Sequence, residues 1–303
     1  MRYFRLALLI LVCFVCSASV LGQQSTSGAA TTPTSDPQAV ALLQRALSAL
    51  TGAVSISDVT LTGTAQRLAG SDDETGTATL KASATEDSRV DLSFPSGSHS
   101  EIRNHAAIPL SGALPSGVPA SLSQTPQPVG VWSDPDGVLH GMAAHNIMTD
   151  ATWFFPVLTL EKIASAQNYV FSYIGQETHD GITVLHVSAS QQFPQLAQNS
   201  STSNSPGPSP AQFQALVQHL SRMDFYIDPN SSLPTALDFN SHPDDNASID
   251  IATEILFSGY QKIGGVLVPL HVQKYLNNSL VLDLQLSDAS INSGLSASTF
   301  ALQ

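Results

Sequence analysis

Nine histidines and 24 carboxylates are the side chains of this 303-residue sequence best suited to binding metals or moving protons. Their spacing argues against both roles. His140 and His145 stand five residues apart on an apolar, helix-compatible stretch, which sets them about 140° apart around a helix rather than on one face. His242 with Asp244 and Asp245 reads as an exposed turn, a grouping that suits at most a weakly held divalent cation. A structural zinc site wants four convergent ligands, usually with cysteine. The two cysteines, Cys13 and Cys16, both lie in the N-terminal apolar run. Nucleophilic catalysis finds no footing either. There is no Gly-x-Ser-x-Gly elbow, and no Ser-x-x-Lys pair sits in a supporting context. Ser98-His99 has no acid placed to orient its imidazole. Asp72-Asp73-Glu74 and Asp244-Asp245 are carried by turns, where solvation keeps carboxylates ordinary. Phosphate loops and dinucleotide fingerprints are missing. The expectation is a protein that is not an enzyme and takes no metal or cofactor.

One cluster has a different chemistry. Trp153-Phe154-Phe155-Pro156-Val157-Leu158 is a dense aromatic and aliphatic block, with Met142 and Met148 upstream as adaptable neighbours. Such a block can form the underside of a lid that touches lipid tails, or it can plug the hollow of a sheet as core. Met142, Met148, Trp153, Phe154, Phe155 and Leu158 are therefore the candidate ligand-binding residues.

Composition bounds what that site serves. Charged residues are 12% and hydrophobic residues 42% of the chain, enough for a real core. A formal charge of −13 excludes phosphate-neutralising affinity for nucleic acid and a polybasic face for anionic lipid. Arg2 and Arg5 precede an apolar run from Leu6 to Cys16 that ends in Ser17, Ala18 and Ser19, the pattern of a signal peptide over 1–22. That run is shorter than the roughly 20 residues a membrane span needs, and no other stretch approaches it. The expected location is periplasmic or secreted, with both cysteines removed along with the signal.

Organisation follows from period. Residues 23–35 are Ser/Thr/Gly/Ala-rich and read as a linker. Asp36-Pro37 then opens a helix, with Val40, Leu43, Leu47 and Leu50 at helical spacing before Gly52. Beyond Gly52 the period drops to two. Val90, Leu92 and Phe94 alternate with Arg89, Asp91 and Ser93, and Leu280, Leu282, Leu284 and Leu286 alternate with Asp283, Gln285 and Ser287. Ile249, Ile251, Ile255 and Phe257 oppose Asp250 and Glu254 in the same way. Similar runs elsewhere bring the total to about eleven strands, joined by turns such as Asp180-Gly181 and Gly264-Gly265. Pro/Ser/Gln-rich stretches at 107–128 and 194–210 read as surface insertions, and 211–221 as a short helix. A sheet of this size curls and needs a cover. The N-terminal helix and the helical segment 138–165 are the covers available. The fold expected over 36–303 is one α+β domain: a large curled antiparallel sheet, an incomplete β-barrel, roofed by these two elements.

This layout resembles the LolA/LolB/RseB superfamily, and within it a secreted branch. The residues that carry the likeness are the amphipathic helix after the signal and the run Gly259-Tyr260-Gln261-Lys262-Ile263-Gly264-Gly265-Val266-Leu267-Val268-Pro269. The strand at 279–287, Ile291-Asn292-Ser293-Gly294-Leu295, a terminal Phe300 and the hairpin from Asp228-Pro229 to Leu233-Pro234 complete it. The resemblance implies a half-barrel whose apolar concavity binds acyl chains, in a carrier or a sensor, with a lipid, an acylated protein or an envelope protein as partner. It also implies that in ferrying members a buried arginine latches the helical lid. By strand parity Arg67 shares a face with Val59, Leu61 and Ala65, which makes it the candidate inward charge. A packed interaction protein with a filled core is the alternative.

Overall fold

Asp36 caps the first helix by accepting a 2.7 Å hydrogen bond from the Gln38 amide, Pro37 takes the first helical position, and Gly52 ends the helix at φ 64°. The resulting α1 (Pro37–Thr51) buries Ala39, Leu42, Leu43, Ala46 and Leu50, one stripe at three- and four-residue spacing. The computed structural model describes residues 34–105, 128–192 and 209–302. The expected signal peptide, residues 23–33 of the linker, and the two insertions apart from 128, 209 and 210 lie outside the described residues.

Thirteen strands form one antiparallel sheet that does not close into a barrel. Six follow α1: β1 (Asp58–Ala69), β2 (Asp72–Ser83), β3 (Ser88–Phe94), β4 (Gly97–Asn104), β5 (Val129–Ser133) and β6 (Leu139–Gly141). Next come the short helix α2 (Ala144–Ile147) and α3 (Pro156–Ser165). The second meander is β7 (Tyr169–His179), β8 (Ile182–Gln191), α4 (Pro210–Leu220), β9 (Met223–Ile227) and β10 (Pro234–Ser241), then β11 (Ile251–Ile263), β12 (Val266–Leu276) and β13 (Ser279–Ile291). A 3-10 turn, Ala297–Phe300, follows and buries Phe300. The order across the sheet is β6-β5-β4-β3-β2-β1-β13-β12-β11-β10-β9-β8-β7.

That order explains the roof. β6 and β7 are the two edges of the sheet yet neighbours in sequence, so the chain between them has to cross from one edge to the other. Residues 142–168 make that crossing and carry α2 and α3. Trp153, Phe154, Phe155, Val157, Leu158, Leu160 and Ile163 are all buried there, in one core with α1 and the inner positions of the strands. The expected cover is thus present, with one correction at its start. Residues 138–148 are not one helix: Leu139–Gly141 pairs with β5 as an edge strand, placing His140 on β6 and His145 on α2. Pairing with β5 outweighed the helix-compatible composition, and β5 and β6 bring the strands among the described residues to 13 rather than eleven.

Two irregularities aim side chains. β1 and β13 shift register between Thr62 and Gly63, where a Cβ on Gly63 would lie 2.2 Å from the Gln285 carbonyl oxygen, so only glycine permits the approach. On β7 the register shifts between Tyr173 and Gly175. Tyr169 and Phe171 face the core, whereas Glu177 and His179, beyond the bulge, face outward.

Candidate functional site

At the end of the curl where β1–β4 meet β12 and β13, the concave face opens into a cleft. One cavity of about 630 Å³ is lined by Arg67, Leu68, Leu92, His99, Lys274, Leu276, Leu280 and Leu282, among others. A second of about 300 Å³ shares Leu92, His99, Lys274 and Leu282 and continues past Val90 and Trp132 to Trp153. Together they make an apolar trough with a few polar groups, the usual construction of a small-molecule site.

Strand parity sets those polar groups. Val90 and Leu92 point inward on β3, and opposite them on β4 stand Glu101 and His99. The inner face of β4 is therefore His99, Glu101 and Arg103, while Ile102 faces the other way. Arg103 is buried, and its Nη1 donates to the Asn146 and Thr149 carbonyls at 3.2 Å and to Thr149 Oγ1 at 3.0 Å. Its Nε meets Glu101 Oε1 at 3.0 Å. It ties the crossing segment to the sheet.

Lys274, inward on β12, places Nζ 4.7 Å from the centre of the Trp153 ring, a cation–π contact. Burial pushes the Glu101 carboxyl up, but Arg103 and Lys274 outweigh it and hold the group below its ordinary value. Burial holds Lys274 below the usual lysine value despite Glu101. Desolvation, helped by the Arg67 charge, also lowers His99. His99 Nε2 and Trp153 Nε1 are sealed from solvent without a hydrogen-bond partner, so the trough contains two unsatisfied polar atoms.

The structure divides the six residues picked from sequence. Trp153 lines the trough. Phe154, Phe155 and Leu158 lie deeper, packed into the core beneath α1. Met142 packs on Gly130, where a Cβ would come within 2.9 Å of its Sδ, and Met148 is half-buried on the crossing segment. Arg67 pairs opposite Leu282 and faces the trough, as parity predicts, while the segment-tying arginine is Arg103. Sequence reading weighed His99 only as a catalytic candidate and missed Glu101 and Lys274. Its available signal was ionisable residues on the inward parity of β4 and β12, a pattern that inverts the usual alternation.

His242 is a further correction. Rather than lying in an exposed turn, its side chain is fully buried, with Nδ1 at 3.0 Å from the Ile249 carbonyl.

On the outer face a separate polar cluster gathers. The tip of the β7–β8 hairpin folds over β9–β11, stacking His179 on Tyr226 at 3.8 Å and packing Val184 with Tyr226 and Ala236. His179 Nε2 lies 2.8 Å from Glu254 Oε1, and His186 Nε2 3.0 Å from Asp224 Oδ1. Burial and the nearby Glu254 push the Asp238 carboxyl up to about 7.

No family model and no curated protein matches the chain. Among solved structures it is similar to a DUF1329 family protein from Desulfovibrio piger, with 10% identity, a TM-score of 0.47, and 87% of this chain and 96% of that one covered. It is also similar to a LolA superfamily protein from Nitrosomonas europaea, at 11% identity and TM-score 0.44, covering 87% of this chain and 97% of that one. No helix among the described residues is long and apolar enough to cross a membrane.

Proposed function

We propose that this is an exported, non-enzymatic protein that holds an acyl chain in the trough between β1–β4 and β12–β13. The observation that carries the reading is the continuous apolar lining of Leu68, Leu92, Leu276, Leu280 and Leu282 running to Trp153 on an otherwise closed core. Each methylene buried there contributes roughly 0.8 kcal/mol. Arg67, Lys274 and the unpartnered His99 Nε2 supply a place for a polar or anionic end group. The filled centre, with Phe154 and Phe155 wholly buried, confines the ligand to this end of the curl.

The test uses a long-chain fatty acid and the intrinsic fluorescence of Trp153 in a Trp132→Phe background. Saturable change in the Trp153 emission is expected. Leu280→Glu should weaken binding about tenfold or more, equivalent to returning about two methylenes to water. A flat emission trace, together with no lipid retained by delipidated protein after incubation, overturns the reading.

A further inference from the structure

On the opposite side of the sheet, a cavity of about 680 Å³ is lined by His179, Asp224, Asp238, Glu254 and Tyr275, among others. We propose that His179, Asp238 and Glu254 bind a divalent first-row transition ion, with zinc as the representative case. One ligand atom from each of the three lies within 4.8 Å of the others. Atoms sharing one zinc at roughly 2.0–2.2 Å lie up to about 4.4 Å apart, so small rotamer adjustments suffice to close the set.

Three further observations favour an ion there. Asp238 Oδ1 is sealed from solvent and has no hydrogen-bond partner, a cost that a coordinated cation removes. The His179 ring is already fixed in plane by its stack on Tyr226 at 3.8 Å, and its Nε2 faces Glu254 at 2.8 Å. The lining also includes Asp180 and Asp224 against the single arginine Arg222, so the cavity is electronegative. One imidazole with two carboxylates suits zinc and its neighbours better than calcium or magnesium, which prefer all-oxygen sets. The cavity leaves the remaining coordination positions open to water. The three ligands come from β7, β10 and β11, so the ion would pin the hairpin tip to the outer face. Their sequence separation hides the set from any local spacing rule.

Chelator-treated protein, free of any histidine tag, is titrated with zinc by calorimetry. Wild type should take one zinc at this site, and His179→Gln and Asp238→Asn should each lose it while keeping the wild-type circular dichroism. The double variant His219→Gln/Asp250→Asn, which dismantles a second histidine–aspartate group on α4 and the loop before β11, should retain it. Should Asp238→Asn fail to fold, the wild-type protein still decides: zinc should shift the His179 ring nitrogen resonances in a 15N spectrum. No zinc uptake overturns the proposal. So does uptake lost only in the His219/Asp250 variant, or an unmoved His179 resonance at saturation.

Discussion

Asp58, at the start of β1, accepts from Ser293 N and Oγ at 2.8 Å on one oxygen, and from Gly294 N at 3.0 Å and Ser57 Oγ at 2.9 Å on the other. Burial pushes this carboxyl up, but those hydrogen bonds outweigh it and hold the group below 3.8. A carboxyl with a depressed folded pKa adds stability that is present above its unfolded value and is lost as pH falls through the folded one. Asp58→Asn should therefore destabilise the protein by about 1–3 kcal/mol at pH 7. The difference should shrink as pH falls below 3.8, measured by urea denaturation across pH. An unchanged gap at pH 2 would remove the assigned charge effect. Asp36, Pro37 and Gly52 were legible in the sequence because a cap and its donors are neighbours. Asp58 was not, because its donors Ser293 and Gly294 lie 235 and 236 residues away. The run Ile291-Asn292-Ser293-Gly294-Leu295 was noticed only as a likeness, and the structure gives it a physical task as a clamp on β1. Trp153 was legible as an aromatic in an apolar block, while Lys274 beneath it was hidden among strand residues of ordinary type.

Between residue and fold, the strap from 142 to 155 shows what the elements demand of one another. It has little regular structure of its own. Arg103 holds it through the Asn146 and Thr149 carbonyls, Asn146 donates to the His242 carbonyl at 2.7 Å, and Asp150 accepts from Thr152 and Thr159. Arg103→Met strips the Thr149 carbonyl of its donor and leaves Glu101 short of a partner, while the Asn146 carbonyl keeps Thr149 Oγ1, so a loss of about 3 kcal/mol is expected. Limited proteolysis should then cut the chain first between 142 and 155, at a protease level that leaves wild type whole; cleavage elsewhere first would deny Arg103 this role. Most strands were read correctly because one face is wet and one buried, as with Val90, Leu92 and Phe94 on β3. β5 and β6 escaped notice for a physical reason. Val129-Gly130-Val131 is buried on both sides and does not alternate, and Leu139–Gly141 is only three residues long. The bulge on β7 was equally invisible, so the outward turn of Glu177 and His179 came only with coordinates.

Across the whole molecule, the first and last strands meet in the middle of the sheet. β1 pairs with β13 from Val59–Ile291 to Arg67–Leu282, and β13 also pairs with β12. This seam joins two meanders, β1–β6 and β7–β13, that otherwise meet through the strap and the shared core. The outer edges are managed differently. β6 is short, and β7 is partly covered where Asp36 N donates to the Phe171 carbonyl at 2.8 Å and Phe171 N donates to Ser35 Oγ at 3.1 Å. A chain ending at Leu276 would expose two long new edges, on β1 and β12, and uncover Val59, Leu61 and Ala65 along with them. It would also lose Leu282, Leu284 and Leu286 from the core, and Phe300. Each large apolar side chain withdrawn from burial forfeits about 1.5–3 kcal/mol, and four of them approach the whole stability of an ordinary domain. The truncated chain should show no cooperative thermal transition by circular dichroism and should aggregate through its open edges. Full-length protein should unfold in one step, because α1, α3 and the inner faces of both meanders share one hydrophobic core. A cooperative melt of the truncated chain would mean that β7–β12 with α1 folds alone, and the central seam would then be a docking joint between two domains rather than the axis of one.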